Sequence, residues 1–183
     1  MTFTKLKCPN TPLYQDTKKF ILTGDFAWYY KPTTVVGTEG MDEYNLDGWY
    51  SHELLSRPKF GTIGNAYFPT VGSEQFTNIY PMVHEILEFN NIPVNCIYRV
   101  NANCTHPSIN PKSTPPHVDH QFPHHNLIIY LTDAGGPTIM CDEDFIPTEV
   151  HQPLEDDIVI FDGWHCMKPP LDKRRVVLVV TFS

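Results

Sequence analysis

Two histidines and an aspartate are the residues best placed, by type and spacing, to do chemistry. His117 and Asp119 lie in Pro115-Pro116-His117-Val118-Asp119-His120, and His165 closes Asp162-Gly163-Trp164-His165. In an extended segment alternate residues share a face, so His117 and Asp119 project together while Val118 points away. Two imidazole nitrogens and one carboxylate oxygen are the donor set that covers one face of a divalent iron and leaves the other positions open. A lone His-x-Asp arises often by chance. Its weight here comes from the segments around it.

Asn126-Leu-Ile-Ile-Tyr130-Leu-Thr132 is a short apolar run of the kind that forms a buried strand. It ends at Asp133-Ala-Gly135-Gly136, a turn signal, after which Pro137–Cys141 can return as the next strand. Glu155-Asp-Asp-Ile158-Val-Ile-Phe161 then leads to His165, and a Pro-rich loop at Lys168-Pro-Pro170 leads to the apolar strand Arg174–Phe182. An apolar strand that begins with two arginines, just beyond a candidate metal ligand, needs a reason. A guanidinium there could make a bidentate bond to a carboxylate.

These features, in this order, resemble the Fe(II)/2-oxoglutarate-dependent dioxygenases, and among them the prolyl-hydroxylase-like branch. The matching elements are His117-x-Asp119, Tyr130-Leu-Thr132, Gly135-Gly136-Pro-Thr138, Asp157–Phe161, His165 with Pro169 four residues on, and the Arg174/Arg175 strand ending in Phe182. The resemblance covers roughly residues 94–183, about half the chain. The small oxygenases of marine cyanobacterial viruses look especially similar, including an early aromatic cluster, here Phe26-Ala-Trp28-Tyr29. That likeness implies a viral protein acting in the host cytoplasm.

The resemblance implies a double-stranded β-helix (jelly-roll) barrel, mostly β with flanking helices. It assigns His117, Asp119 and His165 to iron. It assigns Arg174 or Arg175 to the far carboxylate of 2-oxoglutarate, and strand alternation lets only one of the two face inward. Tyr130 matches a tyrosine that contacts the same carboxylate, and Thr138 is a further candidate. The implied reaction consumes O2 and 2-oxoglutarate, hydroxylates a C–H bond and releases succinate and CO2. Gly135-Gly136-Pro-Thr138 and the closing strand imply a protein side chain as target, with a small molecule as the other class. A non-catalytic or differently metallated cupin-like jelly roll is the competing reading, and the arginine pair with Tyr130 argues against it.

The 183 residues suit one domain, with residues 1–93 supplying N-terminal strands and supporting helices and 94–183 the core strands. Seventeen prolines and 13% aromatic residues favour short strands and many loops over a helical bundle. A net charge of −8 disfavours nucleic acid as partner. Five scattered cysteines without a Cys-x-x-Cys pair, and an opening stretch without the apolar core of a signal peptide, lead to the expectation of a reduced, cytoplasmic compartment. No run is long enough to span a bilayer.

Along the first half, Lys18–Leu22 reads as a strand or short helix, Trp49–Leu55 as a helix closed by Pro58, and Lys59–Ser73 as a glycine-containing loop and candidate lid. Thr77–Asn90 is the clearest helix, with Ile79, Met82, Val83, Ile86 and Leu87 on one face, Pro81 in its first turn and His84 at the core boundary. Val94–Cys104 alternates like a strand, and Arg99 with Asn101 on one face suits either a polar cleft or else an ion pair or edge position. His52, His106 and His151 read as surface residues. His120, His124 and His125 are rival ligands, as a zinc-binding loop. Cys166 lacks the partners a nucleophile needs.

Overall fold

The computed structural model describes residues 2–33, 41, 43–58 and 68–183. In chain order the elements are β1 (Thr4–Leu6), α1 (Pro12–Leu22), β2 (Tyr29–Lys31), β3 (Trp49–Ser56), β4 (Thr70–Val71) and α2 (Phe76–Phe89). They continue with β5 (Ile97–Thr105), β6 (His125–Tyr130), β7 (Thr138–Cys141), β8 (Pro147–His151), β9 (Ile158–Phe161), β10 (His165–Met167) and β11 (Arg175–Phe182).

Every residue of β11 is buried, because this strand runs through the middle of the larger sheet between β5 and β6. That antiparallel sheet has the order β1-β9-β6-β11-β5-β3-β2, with β4 on β3, and a second sheet has the order β10-β7-β8. Side-chain alternation divides the large sheet cleanly. Val176, Leu178, Val180 and Phe182 of β11 join Val100, Ala102 and Cys104 of β5 in a core with the helices. Val177 and Val179 turn the other way, with Ile128, Tyr130, Val159 and Phe161, to meet Met140 of the small sheet. The result is a mostly β, jelly-roll-like pair of antiparallel sheets with two helices on one outer face. Among the described residues the sheets do not join into a closed barrel.

α2 lays Ile79, Met82, Val83, Ile86 and Leu87 on the large sheet, the stripe its periodicity dictates. Burial of each such side chain contributes roughly 1.5–3 kcal/mol. Pro81 sits inside this helix, beyond its first turn, and His84 is exposed beside Glu88 rather than at the core boundary. Lys18–Leu22 is the end of α1, which starts earlier: Thr11 caps it through Tyr14 N, and Pro12 fits the first helical position. Trp49–Leu55 is a strand, not a helix. A bulge between Glu53 and Leu55 turns the neighbours Leu54 and Leu55 both inward, which imitates helical spacing in the sequence. Pro137–Cys141 is a strand, but it crosses to the small sheet instead of pairing with β6. Within the loop expected at Lys59–Ser73, residues 59–67 lie outside the described residues, as do 34–40 and 42. No helix among those described is long and apolar enough to cross a membrane.

Two histidines expected at the surface are packed instead. His52 is 3% exposed and bonds Ser73 Oγ at 2.8 Å, while His151 lies against Phe3, Tyr130 and Asp157. Burial lowers the pKa of each below the ordinary histidine value. The unfolded chain therefore takes up protons near pH 6.5 that the folded chain refuses, so both groups stabilise the fold above that pH and less below it. The urea midpoint is expected to fall between pH 7.5 and 5.5, and His52→Gln to flatten that slope.

Candidate metal centre and its cleft

His117 and His165 are placed side by side by backbone pairing. An isolated antiparallel bridge joins them, with both N–H groups donating to the other's carbonyl at 3.0 Å, and their rings lie 4.5 Å apart between centroids. Asp119, two residues on, completes a cluster whose ligand atoms all lie within 4.8 Å of one another. It is the only such group of three or more metal-binding side chains among the described residues.

Local bonds select the ligand atoms. His117 Nδ1 lies 3.2 Å from Pro115 O, and His165 Nδ1 lies 3.1 Å from Gly163 O. A carbonyl only accepts, so both Nδ1 atoms carry the proton and both Nε2 lone pairs are available to a metal. Burial, then the neighbouring His117, lowers His165 to about 4, so its imidazole is neutral near pH 7. Burial would raise the Asp119 carboxyl, but Arg99, His165, His117 and Arg57 together hold it well below the usual carboxylate range. Its Oδ1 accepts from Arg99 Nη1 at 2.6 Å and Arg57 Nη2 at 3.2 Å. Oδ2 faces His165 Nε2 at 3.7 Å. Two imidazole nitrogens and a carboxylate, converging and locally oriented, suit a divalent ion of the iron class.

The cluster opens into a cleft of about 580 Å³ between the two sheets. Val177 and Val179 of β11, Asn103 and Thr105 of β5, and Arg175 also line it. Of the two arginines, Arg175 points inward. It is 4% exposed, its Nη2 donates to Thr138 Oγ1 at 3.0 Å, and its guanidinium carbon lies 5.2 Å from the Tyr130 ring centre. No carboxylate among the described residues pairs with it. Arg174 is exposed and donates to Leu22 O at 3.1 Å on the helical side. Tyr130 Oη and Thr138 Oγ1 are 2.7 Å apart, so both candidates gather at Arg175. Met167, which follows His165 by two positions on β10, touches Arg175 Nη1 through its sulfur at 3.6 Å. Metal cluster and guanidinium are thus spaced by about 7 Å of strand. Gly136 makes room for Arg175: at φ 74°, a Cβ there would lie 2.9 Å from Arg175 Cδ.

Asn126 was not distinguishable in the sequence as more than a strand residue. It is 0% exposed, lines the cleft, and neither its amide nitrogen nor its oxygen has a partner among the described residues. Each unpaired atom costs about 1–3 kcal/mol. Asn126→Leu is therefore expected to raise the melting temperature by roughly 2–8 °C, a gain of about 1–2 kcal/mol. The same change should weaken binding of whatever ligand completes the amide, and calorimetry with and without that ligand measures both.

Among the described residues the rival ligands do not gather into a metal-binding group, although His124 Nε2 is buried without a partner. His120 Nε2 bonds Thr181 Oγ1 at 2.7 Å, His124 Nδ1 donates to Phe122 O at 2.8 Å, and His125 pairs with Asp162 at 2.7 Å. Burial, then the Cys141 thiol 4.0 Å away, pushes Cys166 up to about 12, so it is a protonated thiol and not a nucleophile. Arg99 does line the cleft, as one of the two readings of its strand allowed, and it does so by ion-pairing with Asp119. Asn101 points the same way but bonds Ser51 and Asn103. Arg57 carried no signal in the sequence.

Neither a protein-family model nor a curated protein matches the sequence. Solved structures do match in fold. An oxidoreductase of the 2OG-Fe(II) oxygenase family from Burkholderia pseudomallei aligns with a TM-score of 0.63 at 12% identity, covering 98% of this chain and 95% of that one. A prolyl hydroxylase from Trichoplax adhaerens, in complex with a hypoxia inducible factor peptide fragment, aligns with a TM-score of 0.55 at 11% identity, covering 98% and 82%. AviO1 from Streptomyces viridochromogenes aligns with a TM-score of 0.53 at 15% identity, covering 99% and 89%. At these identities the likeness is one of fold.

Proposed function

We propose that the protein is an Fe(II)- and 2-oxoglutarate-dependent dioxygenase that hydroxylates a C–H bond, with release of succinate and CO2. The observation that carries this reading is the pairing of an open two-histidine, one-carboxylate set with a buried arginine that has no anion of its own among the described residues. A structural metal site needs no such guanidinium, so the cupin-like alternative leaves Arg175 unexplained. The fold shared with the Burkholderia and Trichoplax enzymes supports the same conclusion.

In this reading His117 Nε2, Asp119 Oδ2 and His165 Nε2 hold the iron, and the backbone bonds at their Nδ1 atoms keep both rings in the donating tautomer. Arg175 grips the distal carboxylate of 2-oxoglutarate, and Thr138 and Tyr130 hold the guanidinium in place. Bound iron and 2-oxoglutarate supply the oxidising power from O2; the chain supplies orientation and a walled cleft. Asn126 offers an unpaired donor and acceptor to a ligand beside the metal set. A peptide side chain, as in the prolyl-hydroxylase branch, is the favoured substrate class, supported by the peptide in the Trichoplax complex.

The test is succinate formation from 2-oxoglutarate by anaerobically iron-loaded protein after oxygen is admitted, with His117→Ala as control. Turnover, or tight metal-dependent 2-oxoglutarate binding, that disappears in the variant supports the reading. Protein that binds neither iron nor 2-oxoglutarate overturns it.

A further inference from the structure

Asp119 is surrounded by more positive charge than one carboxylate offsets. Arg99 and Arg57 both reach Oδ1, and Arg57 Nη1 also donates to the Asp119 carbonyl at 2.6 Å. Among the described residues these three bonds leave most of the ten N–H donors of two guanidiniums unused. Arg99 Nε is buried without a partner among the described residues. Arg99 alone would orient the carboxylate, since its 2.6 Å bond comes from the rigid strand β5. The second arginine therefore needs another account.

Both arginines line the cleft, Arg99 deep within it (13% exposed) and Arg57 at its mouth, just past β3 (36% exposed). Among the described residues three arginines line this cleft, at 57, 99 and 175, against the aspartates 47 and 119, with Glu53 acting on Arg57 from outside it. Asp47 already accepts from Ser108 Oγ at 2.5 Å. In a chain of net charge −8 this surplus of cations is local, not compositional. When Asp119 is also a metal ligand, its charge is shared with a dication and the surplus grows. A desolvated cation without a counter-ion is unfavourable, so such an arrangement persists where an arriving anion completes it.

That anion is not the one expected at Arg175. Along the β5–β11 ladder Arg175 stands opposite Thr105, whereas Arg99 stands opposite Thr181, so the two guanidiniums are carried on backbone positions six residues, about 20 Å, apart and reach toward the metal set from there. The cleft has two cationic groups, Arg175 and the Arg57–Arg99 pair, and the metal set touches the pair through Asp119.

We infer that the substrate to be hydroxylated carries a carboxylate, which docks against Arg57 with Arg99 behind it and so fixes a nearby C–H bond beside the metal set. This rests on the oxygenase reading above. The carboxylate has two sources, a free amino acid or other small acid, and an acidic residue next to the target in a peptide.

Zinc-loaded protein saturated with 2-oxoglutarate allows binding to be read without turnover, because zinc is redox-inert. Ligand-observed NMR then compares four pools: the common L-amino acids, their primary amides, short Pro-Asp and Pro-Glu peptides, and their Pro-Asn and Pro-Gln counterparts. In at least one arm the acid should bind about tenfold more tightly than its neutral partner, and Arg57→Gln should bring that ratio close to one. The responding arm identifies the source, and use of a ratio cancels any general loss from misfolding. Equal binding of acid and amide, a ratio that survives Arg57→Gln, or silence of both acid pools would each overturn the inference. If Arg57→Gln weakens only zinc binding, Arg57 merely supports Asp119 and the inference also fails. Absence of 2-oxoglutarate binding in the first place would instead be a failure of the oxygenase reading.

Discussion

Asp119→Ala is expected to lose metal binding and to unfold at markedly lower denaturant. The two effects have separate causes. The first is the loss of the only anionic donor in a three-residue set, whose remaining imidazoles hold a divalent ion far less tightly. The second is electrostatic: Arg99, mostly buried, keeps its charge but loses the carboxylate 2.6 Å away, and breaking a buried pair from one side costs about 3–5 kcal/mol. Arg57, more exposed, adds little to that figure. Asp119→Asn separates the causes. Its amide oxygen can still accept from Arg99 but brings no counter-charge, so only part of the stability should return while metal affinity stays low. Urea titration of the metal-free proteins and calorimetric metal titration give the two readouts. A metal-free Asp119→Ala protein as stable as wild type would show that the arginines do not depend on the carboxylate. Metal affinity unchanged in both variants would remove Asp119 from the ligand set.

The sequence was most legible where one physical signal dominated. The apolar runs at β6, β9 and β11 are strands because their burial on both faces demands continuous hydrophobicity, and α2 kept its three-four stripe because that stripe packs on the sheet. β3 departs from the helix expected there because its bulge gives two adjacent inward residues, a pattern that alternation alone does not anticipate. His-x-Asp and the distant His165 converge through a single two-bond bridge, a contact remote in sequence that spacing suggests but does not determine. Histidine burial was the least legible property: His52 and His84 exchanged their expected environments, since a polar ring is set by its neighbours rather than by its own hydropathy. Arg57 and Asn126 matter through what surrounds them in the cleft. Neither carries a local motif.

The choice between Arg174 and Arg175 shows the same limit, and it yields the second large prediction. Adjacent residues on a strand face opposite ways, so the sequence narrows the pair to one without saying which. The fold directs Arg175 into the cleft beside Thr138 and Tyr130, and Arg174 out to the carbonyl of Leu22. Arg175→Met is expected to raise the dissociation constant for 2-oxoglutarate by about 10²-fold, the loss of roughly 3 kcal/mol in charge-assisted bonds. The metal-free, ligand-free protein should be as stable as before or more so, because the variant replaces a buried guanidinium without a counter-ion by an apolar side chain of similar length. Arg175→Lys should recover only part of the affinity, since an ammonium cannot make the two parallel bonds of a guanidinium. Arg174→Met should change it by less than about threefold, as expected of an exposed residue facing away from the ligand. Calorimetric titration of 2-oxoglutarate into the zinc-loaded variants gives all three values. Loss of affinity in Arg174→Met with Arg175→Met unaffected would reverse the assignment. Loss in neither would put the co-substrate elsewhere in the cleft and leave the buried charge of Arg175 to be matched by a different anion.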